Sequence, residues 1–229
     1  MVKVYKNNKR STGSQVEKPV LSLNGNSINV GGYQRYTITR TSIKPVSYSS
    51  KFEFIKKFLA GELQHCQNIT DIGCSNGIVC FMAQQLGYQK IQALDHDKEC
   101  IKLIGDIKSY LDIKGIEPKE YSFGNEIEPS DIVIMCALIH WVYSCTALYG
   151  TFDDIFKYLQ KIVGKVLLIE WVDPADPAIR YFKHIFFNKE IIKEEYTEAN
   201  FETSLKSHFS HVEKVFNVTK TRKLYIARV

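Results

Sequence analysis

One turn constrains this chain more than any other feature. The apolar run Asn68 to Ile72 passes into Asp71-Ile72-Gly73-Cys74-Ser75-Asn76-Gly77 and then into the helix-like stretch Ile78 to Leu86. Glycines at a strand-to-helix turn let the backbone approach a ligand closely, and the helix start behind them presents N–H groups that have no intrahelical partner. A nucleoside-like ligand is expected across this turn. About twenty residues further on, the strand Lys90 to Leu94 ends in Asp95, where a carboxylate is placed to accept both hydroxyls of a ribose.

The rest of the chain keeps the same alternation. Phe52, Phe54, Ile55, Phe58 and Leu59 recur at helical spacing behind the candidate caps Ser49 and Ser50, predicting a helix to about Leu63. Lys98 to Leu111 and Asp153 to Val163 read as helices. Glu120 to Phe123, Asp131 to Cys136 and Lys165 to Trp171 read as strands. Strand-helix alternation of this kind predicts an α/β fold, a mostly parallel sheet with helices on both faces. His211 to Val218 and Lys223 to Val229 flank a polar turn at Thr219-Lys220-Thr221-Arg222, so the sheet is expected to finish in an antiparallel hairpin.

Composition limits the class. With 229 residues, 45% of them apolar and 12% aromatic, the chain can bury one sizeable core and is not a disordered sequence. Its longest apolar run, Ile132 to Ile139, is too short for a membrane helix, and Met1 to Arg10 is polar, so a soluble, cytoplasmic protein without a membrane partner is expected. The six cysteines show no CxxC pair and no metal-ligand spacing, which predicts reduced thiols and no zinc site. Residues 1–50 hold eight Lys/Arg against the single acid Glu17, a charge of +7, whereas the remainder holds 22 basic and 24 acidic groups, a charge of −2. Residues 1–49 are therefore read as a basic N-terminal extension, partly disordered, with short strands or a hairpin around Asn24-Gly25 and Gly31-Gly32; residues 50–229 are read as the main domain.

The motifs resemble those of the class I S-adenosylmethionine-dependent methyltransferases. Asp71, Gly73, Ser75 and Gly77, with Cys74 between them, fall on that family's first motif, Ser75 standing in place of the middle glycine. Asp95 matches its ribose-binding acid and His96 the residue beside the adenine. In Phe123-Gly124-Asn125, Asn125 replaces the acid that meets the adenine amine. Asp131 to His140 is similar to the fourth motif, whose strand end, here Cys136 and Ala137, passes the methionine portion of the cofactor. The resemblance covers roughly residues 50 to 229 and implies a Rossmann-like seven-stranded sheet, S-adenosyl-L-methionine as cofactor and methyl transfer as the reaction. A dinucleotide-binding reading lacks the third glycine of GxGxxG and leaves no room for a substrate domain, and a P-loop lacks its Gly-Lys-Ser/Thr.

Ligands of such sheets bind beyond the carboxyl ends of the strands, which directs attention to His140-Trp141-Val142-Tyr143 and Glu170-Trp171-Val172-Asp173-Pro174. Trp141, Tyr143 and Trp171 offer flat faces for a sugar ring or base, or else pack in the core. His140 is the first candidate for a general base, with Asp173 orienting it or taking the proton; Glu170 and His184 are secondary candidates. Equally open are a structural hydrogen bond for His140 at a helix start and a turn role for Asp173. Asp173 and Asp176 alone do not make a metal site.

The sequence lacks the Asp/Asn-Pro-Pro-Tyr/Phe of adenine and glutamine methyltransferases, the Pro-Cys of cytosine enzymes and the lysine-aspartate-lysine-glutamate set of ribose 2′-O enzymes. Residues 137–145 and 168–179 look similar to methyltransferase domains attached to glycan-building enzymes of large DNA viruses such as chloroviruses. That similarity implies O-methylation of a sugar hydroxyl on a glycan or deoxysugar, by a virus-encoded protein in the host cytoplasm. Two other readings stand beside it: an RNA methyltransferase using the basic arm, and a non-catalytic binding subunit.

Overall fold

The structure is a computed structural model and describes residues 20–146, 148–181 and 195–229. Its main feature is a seven-stranded sheet with the order β10-β11-β9-β8-β5-β6-β7. These strands are β5 Asn68–Ile72, β6 Lys90–Asp95, β7 Ile116–Glu120, β8 Ser130–Met135, β9 Val163–Val172, β10 His211–Thr219 and β11 Arg222–Arg228. The β6–β7, β5–β8 and β8–β9 pairings are parallel, whereas β11 lies antiparallel to both β9 and β10. The expected parallel α/β sheet with a terminal antiparallel hairpin is therefore present. A second sheet, order β1-β2-β3-β4, is wholly antiparallel and comprises Val20–Asn24, Ser27–Gly31, Tyr36–Ile38 and Ile43–Pro45.

The chain divides into two compact units, Met1–Gln67 with Cys74–Tyr121, and Asn68–Gly73 with Ser122–Val229. In the first, the helices α1 (Ser49–Glu62), α2 (Ile78–Leu86) and α3 (Lys98–Leu111) accompany the small sheet and strands β6 and β7. Helix α3 carries Cys100, Leu103, Ile104, Ile107 and Leu111 on one buried stripe, and its start is capped by Asp97, whose side chain accepts the Glu99 N–H at 2.9 Å. Alternate residues of the small sheet, Ile28, Val30, Tyr36 and Ile38, are buried, so one face of this sheet is covered within the first unit. Their two-residue period reaches further than the short strands or hairpin expected of this stretch.

In the second unit, α4 (Ile139–Cys145), α5 (Phe152–Ile162), α6 (Pro177–Tyr181) and α7 (Glu198–His208) accompany the remaining strands. Helix α5 packs on both α7 and β9. An aromatic cluster fills this core: Trp171 stacks on Tyr196 at a centroid distance of 4.7 Å, and Phe152 and Phe156 meet Phe201 edge-on at 5.6 and 5.5 Å.

Two local expectations are corrected. The strand expected at Glu120 to Phe123 lies earlier, at Ile116–Glu120. It is an edge strand with mostly exposed residues and a proline, Pro118, so it carries no apolar run to betray it. Ser49 and Ser50 do not cap α1; they lie in its first turn, and the cap position belongs to Tyr48 in a left-handed conformation with no side-chain cap. His184 lies outside the described residues. Among the described residues no helix is long and apolar enough to cross a membrane.

Candidate functional site

In the first unit the turn after β5 is held by two left-handed residues, Ser75 (φ 49°) and Gly77 (φ 79°). Gly77 is required twice over, because a Cβ there would stand 2.8 Å from Ile104 Cγ1. Buried Cys74 donates its N–H to Leu94 O at 3.0 Å, tying the turn to β6. At the end of β6, Asp95 is 8% exposed. Its Oδ2 accepts the Ser75 N–H at 2.7 Å, its Oδ1 accepts the Asp97 N–H at 2.9 Å, and His96 Nδ1 lies 3.3 Å from Oδ1.

Burial on its own would raise the Asp95 carboxyl, but the hydrogen bonds from His96, Asp97 and Ser75 outweigh it and hold the group below the ordinary carboxylate range. The same contact raises the exposed His96 imidazole. Asp95 is thus an ionised acceptor whose lone pairs are only partly used.

Asn76, at the centre of the turn, was not among the expected site residues. It is buried, and its side-chain amide donates to Gly31 O at 2.8 Å and to Gln34 O at 3.1 Å. Its carbonyl accepts the Tyr36 hydroxyl at 2.5 Å. These partners lie some 40 residues upstream, at separations of 45, 42 and 40. A local pattern in the sequence could not have paired them.

In the second unit Asp71 is buried at the end of β5, and Gly73 (φ 75°) packs so closely under Leu138 that a Cβ would meet its side chain at 3.0 Å. After β8 come half-buried Cys136 and then Ala137, a non-glycine residue at φ 51°. Such strain persists only where surrounding structure imposes it and is concentrated at functional turns. Gly124 (φ 99°) makes the turn before exposed Asn125, whose carbonyl accepts the Tyr158 hydroxyl at 2.7 Å. Phe123 packs edge-on against Tyr149 and Tyr158, both at 4.9 Å.

His140 is the second residue of α4 and 2% exposed, and among the described residues neither ring nitrogen has a hydrogen-bond partner. Burial, and then the positive charge of Arg222, drive its pKa down to about 3 against the opposing charge of Asp176. The imidazole is therefore neutral at physiological pH, with one ring nitrogen able to accept a proton. Among the described residues, the structural hydrogen bond considered for this histidine is not made.

Arg222, at the start of β11, is a functional-site neighbour that sequence reasoning missed. It holds buried Asp176 with two prongs, Nε to Oδ2 at 2.9 Å and an Nη to Oδ1 at 3.0 Å, and its other Nη lies 4.0 Å from Oε1 of fully buried Glu170. Asp176 also accepts the Thr221 hydroxyl at 2.6 Å and the Ala178 N–H at 2.9 Å. Although burial opposes ionisation, Arg222 and these donors lower the Asp176 pKa to about 2.

The other expected residues are distributed differently. Asp173 Oδ1 accepts the Ala175 N–H at 2.8 Å, a local turn contact, so the charges shown to act on His140 are those of Arg222 and Asp176. Trp171 has no exposed surface and belongs to the aromatic core, as does buried Tyr143, which packs on Phe152 and Tyr196 at 4.8 and 5.0 Å. Of the two readings open for Trp171, an acceptor face or core packing, its surroundings match the packing role. Trp141 is half-buried beside His140, at a ring distance of 5.8 Å.

No protein-family profile and no curated protein matches the chain. Solved structures do. The bifunctional kinase-methyltransferase WbdD superposes with a TM-score of 0.59 and 13% identity over 78% of this chain, which spans only 38% of that protein. Magnesium protoporphyrin IX methyltransferase (ChlM) from Synechocystis PCC 6803, with bound S-adenosylmethionine, gives 0.54 and 11% over 78% of each chain. A S-adenosylmethionine-dependent methyltransferase from Aquifex aeolicus gives 0.52 and 16% over 77% of this chain and 97% of its own. The seven-stranded sheet with its terminal hairpin therefore has the fold shared by S-adenosylmethionine-dependent methyltransferases.

Proposed function

We propose that the chain binds S-adenosyl-L-methionine and transfers its methyl group to a hydroxyl oxygen, with a sugar of a glycan or a deoxysugar as the acceptor. The observation that carries the cofactor reading is Asp95: an ionised carboxylate at a strand end, pinned by the Ser75 N–H of a glycine-rich turn and still able to accept hydroxyl protons. Bound there, the cofactor would supply a sulfonium-activated methyl group, which passes to the acceptor oxygen while the neutral thioether is the leaving group.

In this reading Asp95 holds the ribose, and His96 and Asn125 flank the adenine. Asp71, Gly73, Cys74, Ser75 and Gly77 provide the close backbone, and Cys136 and Ala137 pass the methionine portion. The acceptor oxygen forms its new bond to carbon as its proton moves to a ring nitrogen of His140, whose neutral imidazole has a nitrogen lone pair open to it. Trp141 is the aromatic surface for the acceptor. Asp173 and Glu170 remain candidates for helping His140, and His184 remains a candidate on sequence grounds only.

The sugar acceptor rests on His140, since an alcohol needs its proton removed where a neutral amine does not, and on the similarity of residues 137–145 and 168–179 to viral glycan-modifying methyltransferases. The test is transfer of labelled methyl from S-adenosylmethionine into separated polysaccharide, RNA, protein and small-molecule fractions of the source. Label in saccharide is expected. Label confined to RNA would overturn the sugar reading and make the basic residues 1–50 the acceptor-binding element.

A further inference from the structure

The four-stranded N-terminal sheet meets the glycine-rich turn through Asn76. All of the contacts lie within one compact unit, since residues 20–45 and 74–121 belong to it together. The end of β2 and the loop that joins it to β3 give the Asn76 side chain two backbone acceptors, Gly31 O at 2.8 Å and Gln34 O at 3.1 Å. From the first residue of β3, Tyr36 donates its hydroxyl to the Asn76 carbonyl at 2.5 Å. On the opposite side Cys100 of α3 directs its thiol at Asn76 Oδ1 at 3.7 Å. Asn76 and Tyr36 are both buried, so these bonds are shielded from water. Burial also pushes the Tyr36 phenol well above its ordinary pKa, which keeps it a donor.

Asn76 sits between two left-handed residues, Ser75 at φ 49° and Gly77 at φ 79°. The left-handed conformation costs a non-glycine residue free energy, so Ser75 requires external restraint to stay there. Its conformation matters because it is what aims the Ser75 N–H at Asp95 Oδ2, 2.7 Å away. Fixing the next residue through both its side chain and its carbonyl supplies that restraint.

We propose that Tyr36 and Asn76 are positioning residues for the cofactor: the N-terminal sheet latches the glycine-rich turn in its binding geometry through the Tyr36 hydroxyl and the Asn76 amide, without touching the ligand. The inference rests on the cofactor reading given above. It makes residues 20–45 a working part of the cofactor site, not an appendage, and it assigns a role to a tyrosine lying outside the turn's sequence motif.

The test compares the full chain with three variants, measuring S-adenosylhomocysteine affinity by calorimetry together with melting temperature. Tyr36→Phe deletes one hydroxyl, and Asn76→Asp deletes two donors at constant size. Thr37→Val serves as the control, because it removes the Thr37 to Asn29 hydrogen bond of 2.8 Å within the same sheet and leaves the turn untouched. Tyr36→Phe and Asn76→Asp are expected to weaken binding by about tenfold, raising KM for the cofactor with kcat at saturation preserved. Thr37→Val is expected to bind as the unaltered chain does. Unaltered binding in Tyr36→Phe, or an equal loss in Thr37→Val, overturns the latch while leaving the cofactor reading intact. If Asn76→Asp does not fold, Tyr36→Phe decides alone. Failure of the unaltered chain to bind overturns the cofactor reading and the latch with it.

Discussion

Asp95 and His140 answer to opposite demands on a side chain, and their environments separate them. Asp95 is buried yet ionised because three donors surround its carboxylate; His140 is neutral because burial, and then the positive charge of Arg222, disfavour its protonated form. One is suited to holding a diol, the other to receiving a proton. Asp95→Ala should therefore weaken cofactor binding by at least about tenfold, whereas His140→Ala should lower kcat by about a hundredfold or more and change cofactor affinity by less than about twofold. Calorimetry and steady-state kinetics on both variants check this. Equal loss of cofactor affinity in the two would contradict the separation of roles.

Strands β9 and β11 bring together what the sequence keeps apart. Strand β9 contributes Glu170, the turn after it contributes Asp176, and β11 begins with Arg222, paired to Val172 across the antiparallel ladder. Removing one member leaves a buried guanidinium short of its counter-charge. Asp176→Ala should cost about 3–5 kcal/mol of stability, read as a fall in the urea midpoint, and a loss below about 1 kcal/mol would contradict the buried pairing.

Elements with a strong apolar period were legible beforehand. Helices α2 and α3 span the expected Ile78 to Leu86 and Lys98 to Leu111, and the glycine turn stands between strand and helix as its residues demand. Edge strand β7 was not legible, because an exposed strand has no alternation to show, and neither was α7, whose buried residues among 11 are only Phe201 and Leu205. The Asn76 latch and the Arg222 pair were illegible for a different reason. Each joins residues at least 40 apart through polar contacts, and sequence periodicity reports apolar faces only. Trp171 was undecided for another reason: a strand-end tryptophan reads alike whether it faces solvent or, as here, stacks in the core.

At the scale of the whole molecule, the buried ionisable groups make stability depend on pH in one direction. His140 has a folded pKa of about 3, below its ordinary value of 6.5, so the unfolded chain binds its proton more readily. Its contribution is fully present above pH 6.5 and is lost as pH falls toward 3. Asp176, lowered from 3.8 to about 2, acts with the same sign in a lower window, present above pH 3.8 and lost toward 2. Stability measured by urea unfolding should be level from about pH 8 to 7 and then fall between about pH 6.5 and 4, and His140→Leu should flatten that fall. An unchanged slope in His140→Leu would show that the histidine is not held neutral.

The most direct test of the central claim is a calorimetric titration of S-adenosylhomocysteine into the full chain and its Asp95→Ala variant. A single site with Kd between about 1 µM and 1 mM in the unaltered chain, weakened at least about tenfold in the variant, is the expected result. No binding to the unaltered chain, or equal binding to both, would contradict a cofactor held by Asp95 at the glycine-rich turn.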